Sequence, residues 1–426
     1  MKHTIKTSLF LILAAGALLS CNRRDYDFVD FDDIEGADRS AFKVTSTRVT
    51  DLSKGLPQDC YLAELEEEDT KTTSVAAAAL LQDIIEYNKP GVLELSGTYK
   101  SINLNTLEEL SLSGKVLLPK DRKPKRYIVV SHYTIGSNAE APSNCFPFEG
   151  VLCSMGYAMI FPDYQGYGVD AHHIHPYLVL QQTAFDVCSM YAAVAQYLKG
   201  TEYEPENSDI YLMGYSQGGA TTMAVEWMFE SFLKEYWDAL TGGTSIRQVF
   251  AGGGPYDARA TYNEFITSDK VNIPCAVPLV IQGMSVGTDL DIDISELIQP
   301  WLYEKLDEWI NSKKYTTAQL RHLIGTTKTS DLLTAKGMDP TSDEVSELYK
   351  RLTDNSIVSY NWTPQAPVYM LHSMDDDVVP YINASKAKSK WADANIQYNF
   401  GHYGSHTRAA LRFIYSVKTW LKDEEK

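Results

Sequence analysis

From Thr98 onward, apolar runs of strand length alternate with stretches of helical periodicity. Such alternation predicts βαβ units and a mostly parallel sheet. Two β-rich stretches, Thr98–Leu104 and Glu109–Leu118, have no helical pattern between them, which predicts an antiparallel opening pair. Arg126–Ser131 (RYIVVS) is apolar on both faces, as a buried central strand must be. Phe148–Met155 fits a short helix ended by Gly156, Tyr157–Phe161 a strand, Tyr177–Leu198 a helix and Asp209–Met213 another strand. Ala220–Leu233 then reads as a helix and Arg247–Ala251 as a strand ending in Gly252-Gly253-Gly254-Pro255.

From about Ala258 to Tyr360 the alternation fails. Helical segments such as Ile294–Trp309 and Ser342–Leu352 dominate, with no clear strand, so 258–360 is predicted to be a helical cap over one end of the sheet. Strand-like runs return at Ala366–Leu371 and Ile396–Phe400, followed by a last helix at Ala409–Leu421. The α/β core is accordingly assigned to residues 56–257 and 361–426.

The first residues carry a different pattern. Lys2 and Lys6 precede an apolar run from Leu9 to Leu19, too short to span a bilayer as a helix, which predicts a secretory signal peptide over 1–20. Leu18-Leu19-Ser20-Cys21 resembles the lipobox of bacterial lipoproteins, in which the cysteine is lipidated and becomes the new N-terminus. Several acyl chains on Cys21 would anchor the chain stably, where one would not. Residues 21–55 begin with an acidic, poorly periodic stretch and are expected to form a tether between membrane and domain. The expected location is the cell envelope, as an exported lipoprotein.

Across its 426 residues the chain is 44 % hydrophobic and 22 % charged, so a packed core is expected. Its net charge of −18, without a long Lys/Arg run, excludes nucleic-acid binding driven by counterion release. It equally excludes attachment to an anionic membrane through a basic patch. Beyond Cys21 five cysteines remain, at 60, 145, 153, 188 and 275. Export permits disulfides; a Cys145–Cys275 bridge and buried free thiols are the two expectations.

Gly214-Tyr215-Ser216-Gln217-Gly218 stands where a strand stops and a helix begins. Glycines there let strand and helix approach, with Gly219 as added slack, and the turn would hold the Ser216 hydroxyl above the sheet. A serine hydroxyl needs a base to take its proton and a carboxylate to orient that base. The acid is sought in LHSMDDDVVP (Leu371–Pro380), whose candidates are Asp375, Asp376 and Asp377. The base is sought in FGHYGSHTRAAL, as His406 before the final helix or His402 nearer the strand, with His402 otherwise expected in the pocket. An acyl-transfer site also needs oxyanion donors. The first is the backbone N–H of Gln217; the second is expected from Tyr133 or Thr134 in SHYTIGSNAEAPS. Three histidines in AHHIHPY, at 172, 173 and 175, have no carboxylate or cysteine nearby in the sequence pattern to complete a metal site. They are expected to order their loop or line the pocket, and no metal or cofactor is predicted.

Leu371–Pro380 resembles the HGxxDxxVP pattern of α/β-hydrolases, with His372 on its histidine, Ser373 in place of its glycine and Asp376 on its acid. FPDYQGYG…HPYL, GYSQGG, AGGGPYD and NWTPQAPVYMLHSMDDDVVP, in that order, resemble the secretory lipase branch typified by fungal secreted lipases. The resemblance spans roughly Thr98–Leu421. It implies an α/β-hydrolase fold, a mostly parallel sheet flanked by helices with a helical lid. It further implies a Ser216–His406–Asp376 triad acting on carboxylic esters, with a small-molecule ester or lipid as substrate. The oxyanion loop departs from the branch in lacking the HGG of many esterases. Two other readings are a serine peptidase of related fold and an inactive hydrolase fold used as a surface binding protein. Peptidases of this kind usually carry an N-terminal propeller, for which the chain has no room.

Overall fold

Strands that are apolar on both faces are stable only between two layers, and the chain builds that sandwich around one sheet. The computed structural model describes residues 34, 37–52, 56–57, 59–61 and 91–424. The predicted signal peptide and Cys21 lie outside the described residues.

The strands are β1 (Lys43–Asp51), β2 (Cys60–Tyr61), β3 (Gly91–Ile102), β4 (Glu109–Pro119), β5 (Tyr127–Ser131), β6 (Phe146–Pro147) and β7 (Ala158–Pro162). They continue as β8 (Ile210–Tyr215), β9 (Ile246–Gly252), β10 (Val368–Ser373) and β11 (Ile396–Gly401). Among the described residues nine of them form one sheet in the order β1-β3-β4-β7-β5-β8-β9-β10-β11. The block from β7 to β11 is parallel, and β1, β3 and β4 extend it antiparallel. Helices α1 (Leu180–Leu198) and α2 (Gln217–Glu230) cover one face. The other is covered by the 3-10 helix Phe148–Met155 and the C-terminal helix. Each face has its own apolar core, so the sheet is held from both sides.

The Thr/Val-rich strand β1 occupies part of the stretch predicted as tether. It pairs with β3 from Lys43↔Thr98 to Asp51↔Gly91. Its polar residues face solvent on this edge, which is why it does not stand out as an apolar run. A buried carboxylate locks it in place: Glu94 accepts both Arg48 guanidinium bonds (2.8 and 2.9 Å), the Lys115 ammonium (2.9 Å) and the Thr50 hydroxyl. The same carboxylate interrupts the apolar pattern of Gly91–Gly97, so β3 begins earlier than predicted.

The stretch between β9 and β10 folds into helices α3 (Ala258–Ser268), α4 (Ala276–Gly287), α5 (Thr317–Ile324) and α6 (Asp343–Asp354), with shorter turns between. Tyr262, Phe265, Val280, Leu320 and Leu348 join a third apolar core beneath them. Ile294–Trp309 is not one helix. It breaks into a 3-10 turn (Ile294–Glu296), an α turn opened by Pro300, and a π turn (Leu306–Asn311). Proline has no N–H for the preceding turn and restarts the helix instead. The chain closes with α7 (Ile382–Lys390), which its nearly uniform polarity hides from a periodicity search, and α8 (His406–Glu424).

No disulfide joins Cys145 to Cys275; the five cysteines among the described residues are free thiols. Cys145 turns its Sγ to the Glu140 carbonyl (3.4 Å), and Cys275 is packed into the cap core. Burial pushes both thiols up to about 12. Among the described residues no helix is long and apolar enough to cross a membrane.

Replacing Lys115 with Met removes a buried cation from Glu94. Loss of one partner of such a group is expected to cost about 3 kcal/mol. Urea unfolding followed by tryptophan fluorescence checks this, an unchanged midpoint being the contrary result.

Candidate active site

At the end of β8 the chain reverses into α2 within one residue. Ser216 takes φ 59° and ψ −128°, a left-handed backbone that a residue with a Cβ adopts only when its surroundings enforce it. The enforcement is a close approach on both sides of the turn. A Cβ on Gly218 would lie 2.0 Å from the Ser131 carbonyl oxygen at the end of β5. One on Gly219 would lie 2.3 Å from the Gly252 oxygen at the end of β9. Gly219 is therefore a contact residue and not slack. The Ser216 N–H donates to the Gly252 carbonyl (2.9 Å), which ties the turn to β9.

Asp376 and His406 meet beside this turn. The His406 Nδ1 lies 2.7 Å from Asp376 Oδ2, while Oδ1 accepts the N–H groups of Val378 (3.0 Å) and Val379 (2.8 Å). Burial raises the Asp376 carboxyl, but His406, His372 and these amides outweigh it, so the group stays below the ordinary carboxylate range. With Nδ1–H given to Asp376, the buried Nε2 of His406 is left as the acceptor, and no hydrogen bond occupies it. Asp377 accepts the His406 N–H (2.9 Å) at the start of α8, and its carbonyl accepts Asn272 Nδ2 (2.6 Å) from the cap. Asp375 instead pairs with His402 (2.8 Å) on the surface, where the His402 side chain is 77 % exposed. His402 does not line the pocket, contrary to expectation.

On the far side of Ser216 lies the loop after β5. Among the described residues neither the Gln217 nor the Thr134 N–H has a hydrogen-bond acceptor, and both residues border cavities that reach Ser216. Tyr133 lines the larger of these cavities. Behind the loop stands a buried polar scaffold drawn from FPDYQGYG. His132 stacks on Tyr164 at 3.8 Å, and the Tyr164 hydroxyl donates to the His132 carbonyl (3.2 Å). Asp163 accepts the Ser113 hydroxyl (2.6 Å) and the Ser143 N–H (2.8 Å). His175 links this scaffold to the turn: its Nδ1 is 2.7 Å from the Gln165 carbonyl, so Nδ1 carries the proton and Nε2 accepts from the Gln217 amide (2.9 Å). Burial drives His132 down to about 4 and His175 to about 3, so both imidazoles stay neutral.

Two cavities open from Ser216. The larger, about 160 Å³, is lined by His406, Tyr215, Phe148 and Glu149 from the core and by Asn272, Thr317 and Arg321 from the cap. Burial raises the Glu149 carboxyl. The smaller, about 30 Å³, runs under α3 and α4 and is almost wholly apolar. No sequence signal marked Glu149, Asn272 or Arg321, because each reaches the site only through the way the cap settles on the core.

The fold has counterparts among solved structures. The rice cell wall degrading esterase LipA from Xanthomonas oryzae superposes with a TM-score of 0.64 at 20 % identity, covering 81 % of this chain and 92 % of LipA. A putative hydrolase from Legionella pneumophila gives 0.66 at 19 % identity, covering 83 % and 95 %. Candida antarctica lipase A gives 0.56 at 19 %, covering 76 % and 75 %. The fold is that of the α/β-hydrolases. Within the chain, residues 294–423 match the family model described as secretory lipase. No curated protein matches the chain.

The α/β-hydrolase core also explains the three histidines of AHHIHPY. His175 is the buried link just described. A carboxylate does stand near the other two: Asp170 Oδ1 bonds His173 Nδ1 (2.8 Å), and the His172 and His173 rings are 3.9 Å apart. Asp170 Oδ2 accepts the Gly166 N–H (2.8 Å), so the group closes its own loop.

Neutral His175 makes a signed prediction. Its folded pKa of about 3 is below the ordinary 6.5, so the unfolded chain binds the extra proton first and stability falls as pH drops below 6.5. His175→Gln keeps an acceptor and removes that proton. The variant's stability relative to wild type should therefore rise by about 1.4 kcal/mol per pH unit between pH 6 and 4. Urea melts at pH 7, 6, 5 and 4 measure the difference; parallel curves would contradict it.

Proposed function

We propose that the protein is an exported serine hydrolase that cleaves carboxylic esters through an acyl-enzyme. The observation that carries this reading is the left-handed Ser216 turn facing the same cavity as a His406–Asp376 pair whose Nε2 is free. The match to a secretory lipase model and the likeness to a cell wall degrading esterase and a lipase support the ester as the substrate class.

In this mechanism Ser216 Oγ attacks the ester carbonyl carbon as its proton passes to His406 Nε2. Charge develops on the carbonyl oxygen, which the Gln217 N–H and an N–H of the Tyr133–Thr134 pair receive; Thr134 is favoured by its vacant N–H. The C–O bond to the leaving group then breaks, and His406 returns the proton to that oxygen. Water, deprotonated by His406, attacks the acyl-serine and releases the acid and Ser216. Asp376 holds the imidazole tautomer throughout and balances the charge of its protonated form. His175 keeps the Gln217 backbone in place through the side-chain amide. Residues 258–360 act as the cap over this site. Cys21, if lipidated after removal of residues 1–20, tethers the enzyme to the envelope.

A fluorophosphonate probe is expected to label the wild type and not Ser216→Ala. Labelling that survives the substitution would falsify the nucleophile assignment. Asp376→Asn should lower kcat for 4-nitrophenyl acetate by about 10⁴-fold while leaving the fold intact, because the imidazole is then held in the wrong tautomer. A fall of less than tenfold would remove Asp376 from the triad. For the tether, Cys21→Ala should shift the protein from the membrane to the soluble fraction of cells that export it; unchanged membrane recovery would contradict lipidation.

A further inference from the structure

The two cavities at Ser216 differ in which catalytic groups they touch, and that difference assigns the halves of the substrate. His406 borders the larger cavity and not the smaller. In acyl transfer the histidine must deliver its proton to the leaving oxygen, so the leaving group lies where the histidine is. The smaller cavity touches Ser216, Gln217 and Thr134, the groups that hold the carbonyl, and has no contact with the base. It is where the acyl chain goes.

We propose that the enzyme is specific for short acyl groups, of about two to four carbons, carried on a bulky alcohol. This rests on the ester hydrolase reading above and deepens it. The smaller cavity offers about 30 Å³ where the larger offers about 160 Å³, so the acyl side has room for much less than the leaving-group side. Phe265 and Tyr262 from α3 and Val280 from α4 close it, and all three belong to the packed cap core, so it lengthens only if that core opens. The leaving-group side is built on another scale. Its free volume is about 160 Å³, its inner wall is apolar through Phe148, Leu411 and Ile414, and its cap edge carries Asn272, Thr317 and Arg321. Ala318 and Arg321 also border a separate surface groove of about 410 Å³, lined further by His322 and Thr326. The alcohol that fits has an apolar body next to the ester oxygen and polar groups at its outer end.

The test compares full-length wild type and variants on 4-nitrophenyl acetate, butyrate, octanoate and palmitate, and on naphthyl against ethyl acetate. In wild type, kcat/KM should peak at acetate or butyrate and fall at least 10-fold by octanoate, the scale on which a pocket refuses extra methylenes. Naphthyl acetate should exceed ethyl acetate. Phe265→Ala should move the optimum toward octanoate, and Val280→Ala is the second variant if the first does not fold. Ile414→Trp, in the other cavity, should lower the naphthyl to ethyl ratio and not the acyl-length optimum. A wild-type preference for octanoate or palmitate overturns the assignment. So does an acyl profile that Ile414→Trp alters and the cap variants do not. Absence of both Ser216-dependent labelling and turnover of every ester would instead overturn the hydrolase reading itself.

Discussion

The close approach of α2 to the ends of β5 and β9 is the constraint on which the rest depends. A Cβ atom on either helix-start glycine, Gly218 or Gly219, would lie only 2.0 or 2.3 Å from a carbonyl oxygen of those strands. That wedge forces Ser216 into a left-handed backbone, and packing on both sheet faces supplies the energy to keep it there. With the serine presented at the carboxyl edge of the sheet, the core residues proposed to work with it come from later strand ends and from the loop after β5. Those are where Asp376, His406, Tyr133 and Thr134 lie.

Such a turn is useful only if its neighbours are equally still, and buried polar groups provide that stillness. His132, Asp163, Tyr164 and His175 contribute a hydrogen-bonded framework behind the loop after β5. Desolvation keeps both of its histidines neutral, which leaves the Nε2 of His175 as an acceptor for the Gln217 amide. A second carboxylate cluster serves the cap: Asp257 caps α3 through the Ala260 N–H (2.7 Å) and pairs with Lys386 (2.6 Å). Glu230 on α2 collects the N–H groups of Gln365 and Ala366 and the Trp362 indole where the chain re-enters the core. The motifs AGGGPYD and NWTPQAP thus mark the two places where the cap leaves and rejoins the hydrolase core.

Cap and core divide the chemistry between them. Ser216, Asp376 and His406 come from the core, whereas α3 and α4 supply walls of the smaller cavity, with Phe265 and Val280 among them. The Asn272–Asp377 contact joins the two parts at the acid-bearing loop, within the same cavity as His406.

The parallel strands and the strand-to-helix turn at Ser216 were legible in the sequence, because each has a local cause: buried strands are continuously apolar, and a sharp strand-to-helix turn demands glycine. Polar elements were not legible. The edge strand β1 reads as a linker because its side chains face water, and β3 looks interrupted because Glu94 is compensated by Arg48 and Lys115, which come from distant segments. A single helix over Ile294–Trp309 was the wrong expectation because Pro300 divides it. Among three adjacent aspartates and two nearby histidines, sequence order could rank candidates but not separate them. The pairing of His406 with Asp376, and of His402 with Asp375 out in solvent, is a matter of which side chains point inward, and only tertiary packing decides that. The same holds for the two cavities: residue types establish that a hydrolase site can exist, while their volumes depend on how a separately packed cap comes to rest on the sheet.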